Sequence, residues 1–245
     1  MKKRVKISLT IAGIISAISL IGLILLIGAH LPSFGMWFYY WQYGANDTYA
    51  QVAMNPEDLH EVTRHMIDYM RGNTPYLQIY THVAGEFRPF FSEIEIRHMV
   101  DVRDLAVFSI FLRNLFAILF VISTAPFIAS RKIFPGAWQI LAKCWKWGAI
   151  GTVGATALLA LIISLDWDRA WYIFHEIIFT NELFFGNRYW LLNPNVDLLI
   201  NIVPYPFFIA LTAFMGIFFA SGLILVFVAA IFLARRVRGD NPHNP

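Results

Sequence analysis

Four apolar runs, each long enough to cross a lipid bilayer, constrain the fold of this chain more than any other feature. A membrane-spanning helix needs about 20 predominantly apolar residues, and such runs lie near residues 7–29, 105–129, 148–165 and 207–234. The composition agrees, because 58% of the 245 residues are hydrophobic and only 14% are charged, against about 25% in a typical soluble domain. We therefore predict a membrane α-helical protein with four transmembrane helices.

The positions of the basic residues predict which connecting segments face the cytoplasm. Lysine and arginine are concentrated before the first run, between the second and third, and after the fourth, at Lys2, Lys3, Arg4, Lys6, Arg131, Lys132, Lys143, Lys146, Arg235, Arg236 and Arg238. Cytoplasmic flanks of transmembrane helices carry such an excess of positive charge. We therefore expect both termini to be cytoplasmic, with a small α+β domain outside.

The expected order of segments follows from these runs and their flanks. It is transmembrane helix 1 (1–30), an extracytoplasmic α+β segment (31–104), transmembrane helix 2 (105–130), a cytoplasmic loop (131–147), transmembrane helix 3 (148–165), an extracytoplasmic or interfacial segment (166–206), transmembrane helix 4 (207–234) and a cytoplasmic tail (235–245). The cytoplasmic segments are too short to hold a catalytic domain. Any chemistry is therefore expected on the outer face.

The first outer segment carries local signals for helices and a hairpin. Asn55-Pro56 predicts an N-cap and a first helical proline, for a helix that ends near residue 70. Residues 76–83 alternate apolar and polar side chains and 87–91 can return as a second strand, which predicts a β-hairpin. Ser92 and Glu95 form a capping-box pattern, which predicts a helix that continues into the second transmembrane run.

The second outer segment, Trp171–Pro206, has the apolar density of a membrane span but is interrupted by polar and charged residues. Its Phe, Trp, Tyr and Asn content predicts a layer at the lipid–water boundary. Asn193-Pro194 predicts a short helix over 194–202. The segment also contains His175, between Phe174 and Ile177, which we single out as a candidate functional residue.

Two residues on the predicted second helix could act together in proton transfer. His98 and Asp101 are three positions apart and therefore share a helix face. A carboxylate beside a histidine can fix its tautomer and stabilise the imidazolium, as a general base requires. An ordinary surface pair is the alternative interpretation. Arg113, deeper in the same helix, either serves a substrate oxygen or extends outward to the interface.

His175 has two interpretations as well. It is either a half-buried histidine with its hydrogen bonds satisfied or a catalytic residue, with Glu176 or Asp197 as possible partners. The chain has no G-x-S-x-G nucleophile motif, and its single cysteine, Cys144, excludes a multi-cysteine metal site. The sequence HEVTRH at His60–His65 is one residue too long for the zinc-protease motif. We therefore expect no metal and no cofactor.

Several motifs occur in a recognisable order along most of the chain. They are Tyr49, MNPEDL at Met54–Leu59, GEFRPFFSEIEIRHMVDVRDL at Gly85–Leu105, FHEIIF at Phe174–Phe179, and W-x-L-x-P-x-x-D-x-L-I at Trp190–Ile200. This pattern resembles the lipoprotein intramolecular transacylases, which are integral membrane enzymes of Gram-positive bacteria. The resemblance extends to the arrangement of four membrane spans.

The resemblance implies a specific reaction and a pair of catalytic histidines. The family moves the acyl chain at the glyceryl sn-2 position of a diacylglyceryl-modified lipoprotein onto the α-amino group of its N-terminal cysteine, giving a lyso-form lipoprotein. It implies that His98 and His175 are the catalytic residues. We hypothesise that His175 is the base and that His98, oriented by Asp101, is its partner or the acid. Second-rank candidates for oxyanion contacts, positioning or support are Arg113, Asn181, Trp190 and Asp197.

The implied partners are the lipoprotein N-terminus and membrane lipid, with no nucleic acid and no soluble cofactor. The implied location is the bacterial plasma membrane, as a multi-pass protein whose active site faces outside. The alternative function is that of a non-enzymatic membrane sensor or assembly partner whose outer domain binds a lipid or protein ligand. Such a module would tolerate substitution of His98 and His175.

The sequence departs from the family pattern at two places. After the D-x-L-I motif the family usually carries a proline followed by an acidic residue, whereas this chain reads Pro204-Tyr205-Pro206. Asn193-Pro194 also stands where an aspartate–proline pair is commoner. These departures leave the expected fold unchanged and bear on the substrate.

Overall fold

The structure, a computed structural model, describes residues 3–129, 134, 136–178 and 188–239. In chain order its helices and strands are α1 (Lys3–Ser33), α2 (Met36–Ala45), α3 (Thr48–Gln51), α4 (Pro56–Met70), β1 (Tyr80–Val83), β2 (Glu86–Pro89), α5 (Glu93–Ala129), α6 (Ala137–Leu165), α7 (Trp167–Ile178), α8 (Leu199–Ile202) and α9 (Tyr205–Gly239). Helices therefore dominate, with one small sheet of two strands.

Four of these helices, α1, α5, α6 and α9, are long and apolar enough to cross a membrane. Their most apolar stretches have mean hydropathy between 2.0 and 2.8, and each exceeds the length of about 20 residues that a bilayer requires. The prediction of four transmembrane helices is confirmed. The cytoplasmic placement of the two termini stays a prediction from charge.

The chain divides into two compact units, to which α1, α5 and α9 each contribute residues. The bundle unit comprises residues 1–28, 111–165 and 215–245, and the α+β unit comprises residues 29–110 and 166–214. The two long outer segments of the sequence thus belong to one unit. This unit contains both candidate histidines.

In the bundle unit a hydrogen-bonded node joins three helices. Ser16 Oγ of α1 is fully buried and lies 3.1 Å from Thr124 Oγ1 of α5. Trp145 Nε1 of α6 donates to the same Ser16 oxygen at 3.0 Å. Hydrogen bonds between helices, together with small residues at the contacts, stabilise helix packing in lipid. Gly22 illustrates such a contact, since a Cβ atom there would lie 2.6 Å from the Phe116 ring.

The α+β unit is built on an aromatic and aliphatic core. One face of α4 is buried and presents Leu59, Val62, Met66 and Tyr69, which recur at the spacing of an amphipathic helix. These side chains belong to the same core cluster as residues of α2, the hairpin and α8, including Phe38, Tyr43, Val83, Phe91, Leu199 and Ile202. The second outer segment is therefore packed into the unit formed by the first.

The predicted start of α4 and the predicted hairpin are both confirmed. Asp58 N–H donates to the N-cap side chain of Asn55 at 2.9 Å. Strands β1 and β2 pair antiparallel through a two-residue turn in which Ala84 and Gly85 have φ of 52° and 83°, as a type I′ turn requires. The strands are shorter than predicted. Beyond the Tyr80–Pro89 pair, Phe90 N–H donates to the Ile79 carbonyl oxygen at 2.9 Å, and the Gln78 side chain then binds the backbone of Phe91.

The predicted helix over 194–202 is wrong for its first half. Only Leu199–Ile202 is helical, and Asn193 begins a turn instead of capping a helix. Its side chain accepts a hydrogen bond from Asn195 N–H at 3.0 Å, and its carbonyl oxygen accepts from Val196 and Asp197. Asparagine side chains that bond nearby backbone groups compete in this way with helix formation.

Candidate active site

The fold brings His98 of α5 and His175 of α7 together within the α+β unit. Their ring centroids are 6.4 Å apart and their planes differ by 29°. The two residues come from separate outer segments of the sequence, 77 positions apart. A contact at this range makes the pair able to act on one substrate.

The position of His98 is set by the capping box at the start of α5. Ser92 N–H donates to Glu95 Oε2 at 2.6 Å, and Glu95 N–H donates to Ser92 Oγ at 3.4 Å. This reciprocal pair satisfies two of the free N–H groups at the helix end. The helix therefore begins at Glu93, as the capping-box pattern predicted. His98 follows Glu95 by about one turn.

The imidazole of His175 is buried among aromatic rings. His175 is 6% exposed. The centroid of its ring lies 4.3 Å from the ring centroid of Trp171, 4.8 Å from that of Trp190 and 5.3 Å from that of Phe174. Burial lowers the pKa of His175, and its hydrogen bond to the Trp171 carbonyl partly offsets that change. The neutral form, which can accept a proton, is therefore favoured near neutral pH.

One hydrogen bond fixes the tautomer of His175. Its Nδ1 atom lies 2.8 Å from the carbonyl oxygen of Trp171. Because a carbonyl oxygen can only accept, Nδ1 carries the hydrogen and Nε2 carries the lone pair. His175 can thus act as a general base through Nε2.

The carboxylates suggested as partners of His175 bind other groups. Glu176 Oε1 lies 3.1 Å from Arg188 Nε. Asp197 Oδ2 accepts from Asn193 N–H at 2.7 Å, and Asp197 Oδ1 accepts from Ser92 Oγ at 3.0 Å. Both carboxylates therefore stabilise the surroundings of the site.

Trp190 is the second-rank candidate that the structure places directly beside His175. Its ring contacts that of His175 and also lies 5.3 Å from the ring of Tyr172, edge on. The Arg188 guanidinium lies 5.5 Å from the centroid of the same Tyr172 ring. This succession of rings and cation forms one wall of the site.

Comparisons with known proteins identify the family of this chain. The family model described as lipoprotein intramolecular transacylase Lit matches residues 14–208. The chain belongs to this family. It is therefore an acyltransferase enzyme, and the resemblance seen in the sequence is confirmed. No curated protein matches the chain.

Solved structures of the transacylase Lit from Bacillus cereus share the fold. One matches with a TM-score of 0.69 and 18% identity, covering 93% of this chain and 96% of the other. A variant with a histidine-to-arginine change gives 0.68 and 18%, covering 97% and 95%. A histidine-to-alanine variant gives 0.67 and 18%, covering 93% and 94%. These structures were obtained in meso, for a protein integral to the membrane.

The other predicted site residues of this transacylase are spread more widely. Asp101 is half-buried on α5, three residues after His98. Arg113 belongs to the bundle unit, where its guanidinium donates to Asn114 Oδ1 at 3.0 and 3.2 Å. Asn181 lies outside the described residues. Among the described residues, no group of three His, Cys, Asp or Glu side chains could hold a metal ion.

Sequence reasoning did not identify Trp171 or Glu95 as part of the site. Trp171 precedes His175 by four positions on α7, and that spacing on a helix signals contact. Glu95 was recognised only as a capping residue. Its second hydrogen bond, to Leu199 N–H, joins positions that no local pattern relates.

Proposed function

We propose that this transacylase moves the sn-2 acyl chain of a diacylglyceryl-modified lipoprotein onto the α-amino group of the same N-terminal cysteine, at the His98–His175 pair. The observation that carries the proposal is the pairing of the two imidazoles at 6.4 Å in a chain of the transacylase family. The product is an N-acylated lyso-form lipoprotein of unchanged mass.

The proposed reaction is aminolysis of an ester within one molecule. The amine nitrogen attacks the sn-2 carbonyl carbon, a C–N bond forms, and the bond from that carbon to the glyceryl oxygen breaks. The amine loses one proton and the glyceryl oxygen gains one, so no other reactant is consumed. Since nucleophile and ester belong to the same molecule, the enzyme contributes orientation and proton transfer.

The proposed roles of the two histidines follow from their surroundings. Neutral His175 accepts the amine proton at Nε2, because its Nδ1 hydrogen is committed to the Trp171 carbonyl. The faces of Trp171 and Trp190 stabilise the imidazolium that forms, by cation–π interaction. His98, oriented by Asp101, relays this proton: it accepts a proton from the His175 imidazolium while it donates its own N–H proton to the leaving glyceryl oxygen. Both imidazoles are then neutral again.

The remaining candidates have supporting roles in this proposal. Trp190 packs on the base, and Asp197 holds the turn that follows Trp190. Arg113, in the bundle unit, and Asn181, outside the described residues, keep only their sequence-based candidacy for oxyanion contacts or substrate positioning. We place the active site on the outer face of the bacterial plasma membrane, because the charge distribution of the sequence favours that orientation. There the substrate acyl chains can remain in lipid.

Mass spectrometry of a reporter lipoprotein tests the proposal. A host without N-acylation of its own would express the wild type, His175→Ala, His98→Gln or a control, His82→Gln, whose side chain is exposed on β1. We expect N-acylated lyso-form peptide with the wild type and the control only, at the mass of the diacylglyceryl form. A purely binding function would leave the peptide diacylglyceryl-modified even when wild-type protein is present in the membrane.

A further inference from the structure

We propose that Glu95 is a positioning residue. Its carboxylate connects the segment 188–203 to the start of α5, and this connection holds His98 in position relative to the aromatic rings around His175. The inference rests on the proposed function, since it concerns the geometry of that same site. Glu95 itself touches neither histidine in this proposal. It acts through the backbone groups that it binds.

The carboxylate of Glu95 binds two distant parts of the chain. The residue is 1% exposed, with Oε2 accepting from Ser92 N–H at 2.6 Å and Oε1 accepting from Leu199 N–H. A capping box requires only the first of these bonds. The second reaches the first residue of α8, 104 positions along the chain.

A second buried carboxylate reinforces the same connection. Asp197 is 5% exposed and accepts from Ser92 Oγ at 3.0 Å and from Asn193 N–H at 2.7 Å. Ser92 therefore donates to both carboxylates, through its amide to Glu95 and through its hydroxyl to Asp197. Buried carboxylates are costly unless fully hydrogen-bonded. Each of the two carboxylates accepts two hydrogen bonds, and these four bonds fix the geometry of the connection.

The connection links the two sides of the site. On one side, α5 carries His98 one turn after Glu95. On the other, the segment that begins at Arg188 carries Trp190, whose ring lies 4.8 Å from that of His175. Since His98 and His175 come from different segments, their spacing depends on contacts that join those segments. Displacement of reacting groups by about 1 Å can lower a catalytic rate by about 100-fold.

Replacement of Glu95 by glutamine is the sharpest disturbance of this connection. The amide keeps one acceptor oxygen and turns an NH2 group toward the N–H of either Ser92 or Leu199, so that one hydrogen bond is lost. The matched control is Glu93→Gln, two residues earlier on α5, where the carboxylate is exposed and pairs with Arg97. Both substitutions remove one negative charge from the same helix end.

The experiment measures kcat and KM of the full-length variants in lipid–detergent micelles, with a synthetic diacylglyceryl lipopeptide. Hydrogen–deuterium exchange is followed at residues 190–203. For Glu95→Gln we expect kcat to fall by about 10- to 100-fold, KM to change by less than about threefold, and exchange at residues 190–203 to accelerate. Glu93→Gln should match the wild type in all three measurements. Asn55→Ala, which removes the N-cap of α4 in the same unit, should leave kcat unchanged, because the effect of Glu95→Gln is exerted through the position of His98.

Several results would overturn the inference. One is a kcat for Glu95→Gln within twofold of the wild type despite faster exchange. Another is an equal loss of kcat in Asn55→Ala, as general destabilisation would produce. If Glu95→Gln does not fold, Asp197→Asn decides by the same criteria. If the wild type itself transfers no acyl chain, the proposed function is refuted, but the positioning role of Glu95 is not. Glu95 positioning is then judged by whether Glu95→Gln, unlike Glu93→Gln, accelerates hydrogen–deuterium exchange at residues 190–203.

Discussion

The Nδ1 atom of His175 lies 2.8 Å from the carbonyl oxygen of Trp171, one turn earlier on α7. The acceptor belongs to the backbone, so the helix itself sets the tautomer of the proposed base. The two carboxylates that could have served, those of Glu176 and Asp197, bind Arg188 and Ser92 instead. The site is therefore a histidine pair set among aromatic rings.

The acid side of the pH–rate profile should report the titration of His175. An unperturbed histidine has a pKa of about 6.5, and burial lowers the pKa of His175 below it. The α-amine of the substrate titrates at about 7.7–8.0, so kcat/KM is divided by the fraction of substrate whose amine is unprotonated. We expect this corrected kcat/KM to stay level as the pH falls to about 6.5 and to decline only at lower pH, where His175 takes up a proton. The measurement is the initial rate of transacylation by purified protein. An acid limb of the corrected profile centred above about 6.5 would contradict the assignment of His175 as base.

The same titration should make the free energy of unfolding depend on pH. In the unfolded chain His175 binds a proton near pH 6.5, whereas the folded chain does so at lower pH, so folding is opposed once the pH falls below about 6.5. This contribution to stability is complete above that pH and is lost toward the lower folded pKa. His175→Gln should therefore lose less stability than the wild type between pH 7 and 5. Thermal unfolding in detergent measures the difference, with His82→Gln as control.

Replacement of Trp190 by leucine should lower kcat while the protein remains folded. The ring lies 4.8 Å from that of His175, and cation–π contacts contribute about 0.5–2 kcal/mol, so we expect a decrease of about 2- to 30-fold. The decrease should fall on kcat rather than KM, because the imidazolium exists only during the reaction. Trp41→Leu, at an exposed position of α2, provides the control. Equal losses in the two variants would refute a specific role for Trp190.

Asn55→Ala should destabilise the α+β unit without changing the chemistry. The Asn55 side chain caps α4 by accepting from Asp58 N–H, and loss of an N-cap costs about 1 kcal/mol. We expect a lower unfolding temperature and an unchanged kcat at temperatures where the variant is folded. Calorimetry and the lipopeptide assay check the two parts separately. A Ser or Asp replacement should restore most of the loss.

Ser16→Ala tests the polar node of the bundle unit. The substitution removes the oxygen that accepts from Trp145 Nε1 and contacts Thr124. Hydrogen bonds between membrane helices contribute about 0.6 kcal/mol on average and about 1.7 at most. We expect destabilisation in that range, and Ser8→Ala, whose hydroxyl bonds its own helix backbone at Arg4, should have little effect. Unfolding in mixed micelles measures both variants.

Much of the architecture could be read from local sequence. The length of the apolar runs determines the transmembrane helices, because lipid offers no hydrogen-bond partners and a helix satisfies its own backbone groups. Three local signals predict three features. Asn55 predicts the start of α4, Gly85 the hairpin turn, and the Ser92–Glu95 capping box the start of α5, because each acts within a few residues. The family motifs identified His98 and His175 as the candidate pair.

Only the tertiary structure decided how the candidates are arranged. The predicted helix at Asn193 is wrong, and it shows the limit of local sequence patterns. The Asn193 side chain accepts from Asn195 N–H within its own turn. Asp197 accepts from Asn193 N–H and from the Ser92 hydroxyl at the start of α5. The contact between His98 and His175, the packing of Trp171 and Trp190 on the base, and the reach of Glu95 to Leu199 join residues far apart or on different elements. Sequence patterns describe interactions over one or two turns, whereas these contacts depend on how whole segments pack around a shared core.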